Sequence, residues 1–207
     1  MLAKSFNAFK PSEELRNLRI LEELEKNPRV SQRQLSQSFN MALGLINGCL
    51  NRLAQKGWIR VKALDHRRSG YYLTTKGLAE KGKLTLKMIR CTLEQYSELK
   101  KIISNRLLEM KREGANRIVF YGVGDEMEVA YVTLQGLNLK LVGIVDDDET
   151  FRPQIVLGYE LEPVSRVMEL KPDGVLITSL TEIDSKKARV KDLLTRRKVC
   201  VKDIGVS

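Results

Sequence analysis

Asn47, Asn51 and Arg52 lie within a few residues of Gly44 and Gly48, and Arg67 and Arg68 follow in a polar stretch closed by Gly70. Side-chain amides and guanidinium groups hydrogen-bond to base edges and phosphates, while glycines let a backbone come close to a partner, so this set is suited to contacting a duplex. Arg33 adds a cation upstream. A second set, Gly122-x-Gly124 with Asp146 and Asp147 some twenty residues on, has the outline of a dinucleotide fingerprint. There, glycines make a tight turn that admits a pyrophosphate, and a carboxylate takes ribose hydroxyls. Met127 stands where the third glycine of that fingerprint belongs, and Asp125, Glu126 and Glu128 crowd the start of the following helix. Carboxylates there satisfy the helix dipole and repel an anionic ligand. No Ser/His/Asp set or paired general acid and base stands out, so no catalytic residue is assigned and the chain reads as a non-enzyme. Cys49, Cys91, Cys200 and the single His66 match no metal or redox spacing, which argues against a metal and for a reducing, cytoplasmic setting.

The first set needs two elements to present it. Ser31 followed by Gln34 is a capping-box arrangement, predicting a short helix that ends near Phe39 and Asn40. A second helix is expected from about Ala42, with Leu43, Ile46, Leu50 and Leu53 as its apolar stripe and Gly57 as its stop. Gly44, Asn47, Gly48, Asn51 and Arg52 then lie largely off that stripe. Trp58 to Leu64 alternates apolar and basic residues in strand fashion, residues 65 to 70 make a loop, and Tyr71 to Thr74 returns. The whole reads as a helix-turn-helix with a wing, whose second helix fits a major groove and whose arginine-bearing tip reaches phosphate or minor groove.

Charge supports this division. The chain has 207 residues and a net charge of +10; residues 1 to 90 hold 18 Lys plus Arg against 7 Asp plus Glu, whereas residues 91 to 207 hold 18 against 19. The first part is therefore +11 and the remainder −1. Affinity for a duplex comes largely from counterions released off its phosphates, and the positive part is the one with the wing. No apolar run is long enough to span a bilayer, and the first ten residues lack the apolar region of a signal peptide.

Upstream, Pro11 and Ser12 start a helix whose Leu18, Ile20, Leu21 and Leu24 face a core, ending near Asn27-Pro28. Downstream, a long helix is expected from about Leu84 to Arg112, with apolar Leu86, Ile89, Leu93, Tyr96, Leu99, Ile102, Ile103, Leu107 and Met110. That face is too long for so small a domain to cover, and a second copy of the helix is the simplest cover. A homodimer joined through residues 84 to 113 follows; the alternative is that the face packs on the chain's own C-terminal domain. After Gly114, strands near 117–121, 139–145 and 174–179 alternate with helices at 127–135, 164–170 and 186–196, which indicates a parallel sheet. The expected organisation is a winged helix-turn-helix over 1–83, a linker and dimerisation helix over 84–113, and a small α/β Rossmann-like domain over 114–207.

Ser31-Gln32-Arg33-Gln34-Leu35, Leu43-Gly44 with Asn47, Lys56-Gly57-Trp58-Ile59, and Tyr72 to Gly77 with Glu80-Lys81 and Leu84-Thr85 resemble MarR-type winged-helix proteins associated with extracellular polysaccharide loci. The likeness covers roughly residues 12 to 105. The Asp65-x-Arg67 pair resembles the MarR wing, which implies that the aspartate braces the hairpin and the arginine enters the minor groove. Val142 to Asp148, with Gly158-Tyr159-Glu160-Leu161, resembles the nucleotide-sugar binding domains of polysaccharide-biosynthesis enzymes and sugar-nucleotide acyltransferases. That resemblance implies a nucleotide-sugar pocket bordered by Gly122, Gly124, Asp146 and Asp147. Together they imply a transcription regulator of polysaccharide genes that senses a sugar nucleotide, which the long helix would make dimeric. Two alternatives stand beside it. One is an NAD(H)-responsive redox regulator of the Rex type, against which the missing third glycine argues; the other is a regulator whose second domain only mediates oligomerisation.

Overall fold

The computed structural model describes residues 12–65, 68–147, 152–195 and 199–205. It forms two compact units, Met1–Leu93 and Glu94–Ser207.

In the first unit, α1 (Glu13–Lys26) starts on the Ser12 hydroxyl, which accepts from the Leu15 amide, and carries Glu13 and Glu14 in its first turn. α2 (Gln32–Phe39) has both bonds of the Ser31/Gln34 capping box and ends at Asn40, whose φ of 49° is left-handed. α3 (Leu43–Gln55) buries Ile46, Cys49, Leu50 and Leu53. β1 (Ile59–Asp65) and β2 (Arg68–Leu73) pair antiparallel from Ile59↔Leu73 to Asp65↔Arg68, with a register shift between Ala63 and Asp65. The expected six-residue loop is therefore mostly strand. Leu21, Leu24, Leu35, Leu50, Leu53 and Tyr71 close the core of this winged helix-turn-helix.

α4 is longer than the periodicity predicts. It runs Thr75–Arg112 rather than from Leu84, taking in Gly77 and Gly82. Thr74 sets its start: the hydroxyl accepts from the Gly77 amide at 3.0 Å and donates to the Gly57 carbonyl at 2.7 Å. Its apolar face is also divided. Ile103, Leu107 and Met110 are fully buried within the second unit, so the chain's own C-terminal domain covers that part of the face. Leu86, Ile89, Leu93 and Tyr96 remain 69, 51, 60 and 43 % exposed.

The second unit is a six-stranded sheet in the order β5-β6-β4-β3-β7-β8. β3 (Arg117–Tyr121), β4 (Lys140–Asp146), β6 (Tyr159–Pro163), β7 (Gly174–Ile177) and β8 (Cys200–Asp203) are parallel, and β5 (Ile155–Val156) adds an antiparallel edge on β6. Both faces of the sheet are covered, which is why its central strands are apolar throughout rather than alternating. Ile118 and Phe120 pack with the end of α4 and with α5 (Asp125–Gln135). Val119 and Tyr121 face Val164, Val167 and the Val190 side of α6 (Ile183–Leu193). Two expected helices differ. Residues 164–170 form only a 3-10 turn at Val164–Arg166, and Lys171, before Pro172, sits left-handed at φ 48°. The last helix begins three residues earlier than expected and stops at Leu193. Among the described residues no helix is long and apolar enough to cross a membrane.

Candidate nucleic-acid interface

Helical geometry turns successive side chains by about 100°. Since Ile46, Cys49, Leu50 and Leu53 point inward, Gly44, Asn51 and Gln55 lie opposite them, flanked by Asn47 and Gly48. Gly44, Asn47, Asn51 and Gln55 are exposed and Gly48 is half-exposed, so α3 presents one outward strip of amides and bare backbone. A Cβ on Gly44 would meet nothing within 4 Å, and one on Gly48 only the Arg52 Nη1 at 3.7 Å. Among the described residues no packing requires glycine at either place, although glycine inside a helix costs about 0.5–1 kcal/mol relative to alanine. Bare backbone on an outward face suits a partner that must approach closely. Gly44→Ala and Gly48→Ala are therefore expected to raise the unfolding free energy by about 0.5–1 kcal/mol each while weakening duplex binding. Thermal melts and fluorescence anisotropy on the same samples check the opposite signs; equal or tighter binding by both variants would remove the glycines from the interface.

The remaining predicted contacts are not all brought to that strip. Arg52 lies on the flank, 3.8 Å from the Glu13 carboxylate of α1, and its guanidinium donates to the Cys49 Sγ at 3.3 Å. Lys56 joins the same carboxylate at 3.8 Å, so Arg52 ties α3 to α1 besides adding charge beside the strip. Arg33 is exposed on α2. Arg67 lies outside the described residues; Arg68 lies on β2, and its side chain also falls outside them. On the wing, Lys62 stands 5.5 Å over the Tyr72 ring, and a Cβ on Gly70 would press within 2.8 Å of that ring.

The second candidate set lies where strand order reverses, at the carboxyl ends of β3 and β4 and beside β7, the usual place for a ligand on an open parallel sheet. Its residues do not fit a pyrophosphate. Gly122, at φ 107°, is held by its amide to the Val145 carbonyl at 2.9 Å and by the Thr178 hydroxyl on its own carbonyl at 2.6 Å. A Cβ there would come 3.0 Å from that of Ser179, so close strand packing requires this glycine. At Gly124, the first-turn carboxylate of Glu126 lies 3.0 Å from where a Cβ would sit. The position a phosphate would need is thus already faced by an acid. Met127 is 1 % exposed, packed in the core.

Asp147 is engaged internally. It accepts hydrogen bonds from the Tyr121 hydroxyl and the Lys186 ammonium, and from Arg189 Nη1 at 2.7 Å. Lys186, only 6 % exposed, also lies 3.7 Å from Asp146 and 4.5 Å over the Tyr121 ring. Burial pushes the Asp147 carboxyl up, but the hydrogen bonds from Lys186 and Tyr121 and the charges of Lys186 and Arg189 outweigh it, so it lies below the ordinary carboxylate value. Burial, then the Asp147 hydrogen bond and charge, hold the Tyr121 hydroxyl well above its ordinary value. This cluster escapes a sequence reading because its partners are 26, 39 and 42 residues from Asp147. The one local signal is Lys186 and Arg189 three apart on a helix. Asp146, partly exposed, is the carboxylate left at the strand end.

Comparison with known proteins accords with this division. Residues 15–60 match the winged helix-turn-helix DNA-binding family model, and residues 114–199 match the model described as C2185-like, N-terminal. No curated protein matches. Among solved structures, MepR, a transcription regulator of the Staphylococcus aureus multidrug efflux pump MepA, is 20 % identical with a TM-score of 0.34, over 41 % of this chain and 64 % of its own. FabT of Streptococcus pneumoniae in complex with DNA is 21 % identical with a TM-score of 0.34, over 59 % of this chain and 69 % of its own. RSP, a Rex-family repressor, is 17 % identical with a TM-score of 0.34, over 94 % of this chain and 87 % of its own. The chain spans less than two thirds of MepR, and likenesses this distant carry no argument about ligands or partners. The N-terminal unit is a winged helix-turn-helix DNA-binding domain, followed by a long helix and a mostly parallel α/β sheet domain.

Proposed function

We propose that the protein is a dimeric, sequence-specific transcription regulator of polysaccharide-biosynthesis genes. The observation that carries the DNA-binding part is the outward strip of α3, where Gly44, Asn47, Gly48 and Asn51 stand opposite a fully buried apolar stripe. The strip sits in the part of the chain that holds all of the net positive charge. Dimerisation is supported by Leu86, Ile89, Leu93 and Tyr96, whose spacing of three, four and three is that of a coiled-coil seam. The polysaccharide assignment rests on the two resemblances of the sequence, which concern separate parts of the chain and point to one pathway.

The same resemblance supports a sugar nucleotide as effector of the C-terminal unit. Glu126 at Gly124 opposes a pyrophosphate on the turn, so recognition would fall on hydroxyl groups taken by Asp146. The same placement weighs against the NAD(H)-responsive alternative. Footprinting on the gene's own upstream region tests the regulator, and calorimetric titration with UDP-sugars, with and without the footprinted duplex, tests the effector. Protection of a paired site is expected, together with heat from the sugar nucleotide and a changed duplex affinity. No protected site would sink the regulator; no heat and unchanged affinity would leave the C-terminal unit a structural role.

A further inference from the structure

Lys186, Arg189 and Tyr121 converge at the carboxyl end of the sheet on the carboxylate of Asp147. The Tyr121 hydroxyl and Arg189 Nη1 donate to its Oδ1, and the Lys186 ammonium donates to its Oδ2. Both oxygens of one planar group are therefore met, two of the three bonds coming from cations, which make the stronger, charge-assisted kind. Tyr121 is fully buried and Lys186 nearly so, whereas the Asp147 and Arg189 side chains keep 17 and 36 % of their surface in solvent. A molecule approaching the cluster thus meets Asp147 and Arg189 first.

Stability alone does not account for such a cluster, since a buried ion pair is often no more stabilising than apolar side chains of similar volume. Its place points elsewhere. It stands where strand order reverses, at which an open parallel sheet takes its ligand. What can take the place of Asp147 is restricted by charge. Lys186 and Arg189 face Asp147, with Asp146 also 3.7 Å from Lys186, so two cations stand against two carboxylates. Another carboxylate keeps that balance around a buried ammonium, and a neutral hydroxyl does not.

We propose that Lys186, Arg189 and Tyr121 form a seat for a ligand carboxylate, which the chain's own Asp147 fills until the ligand displaces it. Combined with the effector reading above, on which this part rests, the seat selects a sugar nucleotide whose sugar is acidic, of the uronate kind, with Asp146 beside it to take a neighbouring hydroxyl. The seat itself does not depend on that reading. Calorimetric titration of the full chain with UDP-glucuronate and UDP-glucose, which differ by one carboxylate for one hydroxymethyl group, tests the selection. Wild type is expected to prefer the uronate. Asp147→Ala removes the internal occupant and is expected to bind UDP-glucuronate about tenfold more tightly or better, the factor by which a seat filled about nine-tenths of the time weakens apparent affinity. Its affinity for UDP-glucose should not change, and Arg189→Gln should lose the preference. Acetate separates the seat from the effector: by scanning calorimetry Asp147→Ala should melt lower than wild type in chloride and recover in acetate, with wild type unmoved. Equal affinities for the two sugar nucleotides, in wild type and in Asp147→Ala, overturn the proposal. If neither binds, the effector reading fails and acetate decides the seat: recovery of Asp147→Ala upholds it and no recovery overturns it. Should Asp147→Ala fold in neither salt, a preference for the uronate kept by Arg189→Gln overturns the proposal and one lost upholds it.

Discussion

If the proposed dimer is joined through α4, Leu93→Asp is expected to make the protein monomeric and to cost about a hundredfold or more in affinity for a paired site, because two tethered heads gain that much from effective concentration. Leu93 is 60 % exposed in the single chain, at the middle of the Leu86, Ile89, Leu93 and Tyr96 seam. A carboxylate there costs the isolated chain little, since exposed substitutions usually stay within about 0.5 kcal/mol. In a dimer the same carboxylate meets its own copy and apolar neighbours, and burying a charge without a partner is far more expensive. Leu93→Met, which keeps an apolar side chain of similar volume, should remain dimeric. Ile103→Asp should behave differently again, because Ile103 is fully buried in the second unit and its loss unfolds that core. Sedimentation equilibrium separates these outcomes. A Leu93→Asp variant that stayed dimeric and kept wild-type affinity would move the interface off this helix.

What a sequence shows of this molecule depends on the range of the forces involved. α2 was legible to the residue because its capping box is built from Ser31 and Gln34, three positions apart. The outward face of α3 was legible for the same reason, helical periodicity being local. Arg52 was not, since the acid that draws it aside, Glu13, belongs to another helix. The apolar stripe of α4 was visible, but periodicity cannot say what covers it, and Ile103 and Leu107 proved to be core while Leu86 and Leu93 did not. In the C-terminal unit the alternating pattern announced a parallel sheet, yet the glycine turn and Asp147 looked alike in a ligand site and in a packed one. For Asp147 the Lys186 and Arg189 contacts decide it, and they depend on tertiary geometry; for the glycine turn the Glu126 carboxylate decides it, and that signal is local and stands in the sequence.

Gly77 shows the same limit, and its replacement by the smallest side chain should cost much of the first unit's stability. The apolar periodicity places the helix only from about Leu84, past Gly77. In the structure it lies in the first turn of α4 against the root of the wing, where an added Cβ would fall 1.9 Å from the Trp58 carbonyl oxygen and 2.8 Å from its carbon. Neither atom can move alone. The Trp58 carbonyl accepts from the Thr74 amide at 3.0 Å and from the Thr74 hydroxyl at 3.2 Å, and that hydroxyl caps α4. Gly77→Ala must therefore separate helix from hairpin and break this set of bonds, against a gain in helix propensity of about 1 kcal/mol. A net loss of about 3 kcal/mol, or on the order of 15 °C in a unit of this size, is expected. Trp58 is the chain's single tryptophan, so its fluorescence reports the unit directly. Gly82→Ala is the matched control: a Cβ there meets nothing within 4 Å, and the variant should melt slightly higher than wild type. Equal melting temperatures for Gly77→Ala and Gly82→Ala would mean that the wing root and the long helix are not joined as described, and with them would go the fixed placement of the hairpin beside α3.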